Sequence, residues 1–249
     1  QDVSIAGVVY AGSNIDICGS TCTHGNTNCL GDLSIDRSIS TGENARLSSC
    51  LSVIGSASFG SHLSVTGSSR CVHSVTFDSS CAIAGAIWFD GHTAVRNSVS
   101  VLGNLSGEAD ISVAGNIGVG STLSVISCSK FSDSLRANVD VTVGESIAVC
   151  EDGHLSGNLS VGGSLNVDER CSIGSETDLS AELVLNGPFA SFMVGQTLSI
   201  IGSTDCCGDV SIDGKATIDN GLHAYGSAHF NDRLLSSSLV ELGSVLSVR

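Results

Sequence analysis

Apolar and polar positions alternate with period two in short bursts along the whole chain. The bursts recur as hexads: an apolar residue, an outward residue, a second apolar residue, then a three-residue corner. Leu51-Ser52-Val53, Leu63-Ser64-Val65, Val99-Ser100-Val101, Ile111-Ser112-Val113, Leu123-Ser124-Val125 and Leu159-Ser160-Val161 are spaced by even numbers of hexads, so that a dodecad repeats. A second series sits midway, as in Ala45-Arg46-Leu47, Ala57-Ser58-Phe59, Ala216-Thr217-Ile218 and Ala228-His229-Phe230. Such bursts put both apolar residues on one face of a strand and the middle residue on the other. Forty-one of these units and one three-residue insertion account for all 249 residues. The insertion is placed near 186–191, around Asn186-Gly187-Pro188, which holds the single Pro.

This pattern predicts an all-β chain forming one β-solenoid over 1–249. Most of the 30 glycines fall at corners, where a positive φ or close backbone approach favours them. Two coils fit a hexad. One is a flat, two-sheet 12-residue coil of two hexads. The other is an 18-residue left-handed helix of three hexads that resembles the acyltransferase family. The first apolar position is nearly always Val, Ile or Leu in the main series, and mostly Ala, Ser, Thr, Cys or Gly in the second. Large facing small across a thin core favours the 12-residue coil in two parallel sheets. Against this, the sequons Asn104-Leu105-Ser106 and Asn158-Leu159-Ser160 are nine hexads apart and would share a column in an 18-residue coil.

The dodecad Leu51-Ser52-Val53-Ile54-Gly55-Ser56-Ala57-Ser58-Phe59-Gly60-Ser61-His62 resembles the tandem LSV-type repeats of long algal repeat proteins. The resemblance covers nearly the whole chain and implies a solenoid, with no activity attached. Thr21-Cys22-Thr23 is also similar to the Thr-Cys-Thr of insect antifreeze proteins, which implies a 12-residue coil and an ice-binding face.

Composition removes several functions. A net charge of −15 with 10 basic residues opposes binding to nucleic acid. No apolar run reaches the length of a membrane span, so no membrane insertion is expected. No catalytic or phosphate-binding motif stands on a strand-to-helix turn, and no cofactor is expected. Asp78 and Asp90 hold equivalent corners one dodecad apart. In a 12-residue coil they would stack, as calcium candidates or as two screened surface carboxylates. The outward residues Ser52, Ser64, Thr76, Ser100, Ser112, Ser124, Ser160 and Ser172 would form a hydroxyl column suited to lateral packing or to ordering water.

Among the 11 cysteines, Cys29, Cys71, Cys81, Cys171 and Cys206 take inward positions, and Cys18, Cys22, Cys50, Cys128, Cys150 and Cys207 take corners or outward ones. Exposed thiols and the sequons at Asn104 and Asn158 indicate an oxidising, extracellular setting with glycosylation and disulfides, though no pairing can be assigned. Gln1-Asp2 opens the chain without the parts of a signal peptide, so either a cytosolic or an already processed product is expected. The repeat begins at Val3-Ser4-Ile5 and ends at Leu246-Ser247-Val248 without a cap. Uncapped complementary ends predict a head-to-tail homopolymer. The expected function is therefore a non-enzymatic, secreted filament or surface coat, such as a flagellar hair or cell-covering fibre, with other coat components as further partners. The alternative is a solenoid that binds ice or a polymer.

Overall fold

The structure is a computed structural model that describes residues 2–187 and 190–248. The described residues contain 41 short strands and no helix, from β1 (Val3–Ile5), β2 (Val9–Ala11) and β3 (Ile15–Ile17) to β39 (Leu234–Ser236), β40 (Val240–Leu242) and β41 (Leu246–Val248). The chain divides into two compact units, one ending at Val125 and the other starting at Ile126. Each is a β-solenoid of three parallel sheets, in which neighbouring strands of a sheet are three apart in chain order. The first unit holds 21 strands, or seven turns of three.

Register fixes the turn. Ala57 lies beside Val75, Leu63 beside Cys81 and Leu51 beside Ser69, each pair offset by 18 in the chain. The solenoid is therefore a three-sided, 18-residue coil, and the expected two-sheet, 12-residue coil is corrected. The error has a physical source. A 12-residue alternation of large and small residues, wound at 18 per turn, sets a large residue directly over a small one. Leu51, Ser69 and Ile87 follow one another up the third sheet, and Ile39, Ala57, Val75 and Thr93 up the first. Size alternation therefore packs successive layers of one core; it does not measure the length of the coil.

The inward positions make that core. Ile35, Val53, Leu123, Leu179 and Leu183 are wholly buried. Phe59 and Phe77 stack on adjacent turns with ring centroids 5.2 Å apart, and Phe77 meets Phe89 edge-on at 6.3 Å. Gly107 follows Phe89 in the same column, and the Ile111 side chain occupies the space beside it, 2.8 Å from where a β-carbon would stand. Backbone pairing continues around the corners: Leu51 N–H donates to Ser68 O at 3.0 Å, and Ile54 N–H to Ile35 O at 3.0 Å.

Corner glycines answer to crowding. No described residue has a positive φ, so handedness of the backbone is not their reason. A β-carbon on Gly85 would lie 2.6 Å from the carbonyl carbon of Gly67 in the preceding turn. The missing side chain lets a glycine corner stack this closely on the turn before it.

Of the proposed insertion, Pro188 and Phe189 lie outside the described residues. Around it the offset between paired residues is 21, as in Cys171 beside Phe192 and Leu183 beside Thr204, and it returns to 18 at Phe192 beside Val210.

Candidate functional site

The outward faces are sorted by sheet, and this redistributes the expected sites. Ser52 and Ser124 stand on the third sheet, Ser64 and Ser100 on the second, Thr76 and Ser112 on the first. In the second unit Ser160 stands on the third sheet and Ser172 on the second. The neighbours of Ser52 are Ser34 and Arg70, and those of Ser64 are Arg46 and Ala82. The expected hydroxyl column is thus dispersed over three faces, because its 12-residue spacing walks around an 18-residue coil.

The same walk separates Asp78 from Asp90, which are not brought together. Asp78 follows the first sheet and pairs with Arg96 at 3.1 Å; Asp90 follows the third and pairs with Arg70 at 3.4 Å. Each carboxylate already has a guanidinium, so the calcium reading is withdrawn. Among the described residues, no group of three or more His, Cys, Asp and Glu is arranged to hold a metal ion. His223 stands partly exposed on the first sheet between Asp205 (3.7 Å) of the turn before and Glu241 (3.8 Å) of the turn after.

Corner amides form a feature that the sequence reading missed. The residue at or just before the start of a strand is repeatedly Asn, Asp or Ser, and in several such places its side chain accepts the backbone N–H of the residue 18 later. Asn14 accepts from Asp32 at 2.9 Å, Asn26 from Asn44 at 3.1 Å, Asp140 from Asn158 at 2.8 Å and Asp209 from Ser227 at 2.8 Å. Asp32 accepts from both the Ser49 hydroxyl (2.5 Å) and Cys50 N–H (3.1 Å), and these bonds hold its carboxyl below the usual carboxylate range. Bonds to the charged form have that effect. The signal was present in the sequence as a polar preference at one hexad position. Both sequon asparagines belong to this set: Asn104 Oδ1 accepts from Thr122 N–H at 3.3 Å, and Asn158 Oδ1 from Glu176 N–H at 3.1 Å. Each stands exposed at the corner leading into the third sheet.

The cysteines divide as their positions predict. Cys29, Cys71, Cys81, Cys171 and Cys206 are buried free thiols. Burial pushes the thiols of Cys71, Cys81 and Cys171 up to about 12, with Asp90, Cys71 and Cys206 respectively adding to it. Cys206 is pushed up to about 11, again chiefly by burial. A neutral thiol in an apolar layer is a small packing residue.

In the turns at β1–β3 and β39–β41 the inward residues are less buried than in the other described turns. At β1–β3 an apolar hollow of about 280 Å³ opens between Val3, Ile5, Val9, Ile15, Ile17 and Leu33. Val3 is 37% exposed, and neither Ser4 nor Ile5 is buried. At β39–β41 Leu246 is 47% and Val248 51% exposed, with Ser247 half-buried between them. The equivalent inward residues elsewhere, such as Leu51 and Val53, are exposed by 2% and 0%.

A third feature lies on the third sheet of the first unit. The Arg70 guanidinium sits 5.7 Å from the ring centre of Trp88, the single tryptophan. Trp88 is half-exposed and borders a hollow of about 480 Å³ together with Ser52, Ser68, Asn104 and Ser106. Comparison with family models, with curated proteins and with solved structures finds no match to this chain.

Proposed function

We propose that this chain is a non-enzymatic structural protein, secreted, that self-associates by stacking coil on coil into an extracellular filament or surface coat. The observation that supports the reading is the repeating coil itself: parallel strand pairing, corner side chains and ion pairs bond each turn to the next, so a turn offers apolar positions and backbone groups at the register that a further turn needs. Exposed strand edges over apolar core recruit another strand. The occupant is a second copy of this chain, because its own repeat brings apolar positions and backbone donors at the matching register. Joining one coil to another in this way is a heterologous contact, which propagates when it does not close.

The finer reading of the repeat, as of the algal LSV type, agrees with a structural role and rests on dodecads like that from Leu51 to His62, which recur along nearly the whole chain. The absence of an enzyme is proposed on the same surfaces: their ion pairs and amide ladders are engaged in tying turn to turn. The alternative, ice or polymer binding, would draw on outward hydroxyls that the third sheet sets side by side at 18-residue spacing, Ser34 with Ser52, Ser106 with Ser124, Thr142 with Ser160 and Ser199 with Thr217.

Electron microscopy of the purified protein tests the proposal. Fibres or sheets that Val3→Lys and Val248→Lys suppress support it. Dispersed single particles at high concentration, identical in wild type and variants, contradict it.

A further inference from the structure

We propose that Asn104 is an N-glycosylation site whose first sugar packs against the indole of Trp88. The inference rests on the secreted reading above and goes beyond it, since it gives one sequon a built receptor and the other none. Asn104 is exposed, and Thr122 N–H donates to its Oδ1 at 3.3 Å, a bond that does not use Nδ2. Ser106, the hydroxyl residue of the sequon, is the register partner of Trp88 on the next turn. Asn104, Ser106 and Trp88 therefore border one hollow of about 480 Å³, large enough for a hexosamine ring.

The chemistry on the two sides of the indole differs. In the preceding turn Arg70 lies over the ring at 5.7 Å and is itself held by Asp90 at 3.4 Å, and the hollow runs on past it to Ser68 and Ser52. In the following turn stands Ser106, whose short side chain leaves the indole half-exposed. An N-acetylhexosamine carries an apolar face of C–H groups and a rim of hydroxyls. That face suits an aromatic surface, and Ser52, Ser68 and Arg70 supply polar partners for the rim. Asn158 has no such surroundings: the flanking turns bring Asp140, Glu176 and Asp178.

The bond-forming step needs a lipid-pyrophosphate-linked oligosaccharide as donor. Asn104 Nδ2 bonds to the anomeric carbon, the bond from that carbon to the pyrophosphate oxygen breaks, and the lipid pyrophosphate leaves with the electron pair. Nδ2 loses one proton, and nothing is oxidised or reduced.

The single tryptophan makes the test direct. The full chain is produced in a secretory eukaryotic host, and the Asn104 peptide is weighed by mass spectrometry. Acrylamide quenching of tryptophan fluorescence is then compared between wild type, wild type trimmed to one N-acetylglucosamine, and Ser106→Ala. That variant destroys the sequon but keeps Asn104 and its bond to Thr122. The proposal expects an occupied Asn104, equal shielding in the full and trimmed glycoforms, and quenching raised roughly twofold in Ser106→Ala as the ring face is uncovered. Asn158→Gln leaves the quenching unchanged. An unmodified Asn104 in secreted, folded protein overturns the proposal, as does equal quenching in wild type and Ser106→Ala. Self-association is read separately by microscopy, so failure of the filament reading is distinguishable from failure of this site.

Discussion

A glycine at a corner and a glycine on a strand face meet opposite fates when a methyl is added. At Gly85 the new β-carbon would strike the Gly67–Ser68 backbone of the turn below at 2.6–2.7 Å, and backbone cannot step aside. Gly118 points outward from the second sheet with nothing within 4 Å. Gly85→Ala is therefore expected to cost about 1–3 kcal/mol, whereas Gly118→Ala gains about 0.4–1 kcal/mol by restricting the unfolded chain. Urea midpoints of the two variants check both signs. The buried thiols give a pH dependence. Their pKa values are raised in the fold, so their contribution to stability is complete below the ordinary value of 9.0 and is lost as pH rises toward about 12. Stability should fall above pH 9, and less steeply in Cys71→Ala/Cys81→Ala. At pH 8 iodoacetamide should label Cys18, Cys50 and Cys207 in the folded protein and spare the five buried cysteines.

At the scale of the strand, what the sequence told depended on how far apart the informative residues stood. Period two within each burst is local, and it located Val3–Ile5 and Leu246–Val248 as strands and the inward cysteines as core. The number of sheets is a question of which distant residues touch. Leu51, Ser69 and Ile87 show why size alone misled: alternation at 12 satisfies packing across a thin two-sheet coil and packing along an 18-residue column equally well. The two sequons carried the correct spacing, as did the polar residue before many of the strands, but neither pattern reveals its hydrogen bond until turns are stacked. The misplacement of Asp78, Asp90 and the hydroxyl column followed from that one step. Double-mutant cycles separate the two geometries. Ser40→Lys with Ser58→Glu, neighbours on adjacent turns of the first sheet, should couple by about 0.2–1 kcal/mol. Ser40→Lys with Ser52→Glu, one dodecad apart, should show no coupling. Packing supplies a further check at Ser69, whose hydroxyl is buried without a partner between Leu51 and Ile87. Ser69→Ala should stabilise the protein by about 1 kcal/mol, since an unpaired buried hydroxyl costs that order of free energy, and Ser69→Leu should destabilise it by about 1–3 kcal/mol through overpacking.

For the molecule as a whole, the chemistry on display is that of contact between turns. Arg96 with Asp78, His223 with Asp205 and Glu241, and the corner amides each join one turn to the next. The turns at β1–β3 and β39–β41 differ in keeping their apolar residues exposed. A net charge of −15 makes copies repel at long range, so their association should strengthen as salt rises and screens that repulsion. Association driven by attraction between unlike charged patches would weaken instead. Sedimentation velocity across a concentration series at near-physiological salt, on wild type and on Val3→Lys/Leu246→Lys, tests the central claim most directly. The account predicts growing species in the wild type, with no upper size, and a single monomeric boundary in the variant. A wild-type boundary that stays monomeric at every concentration would contradict it.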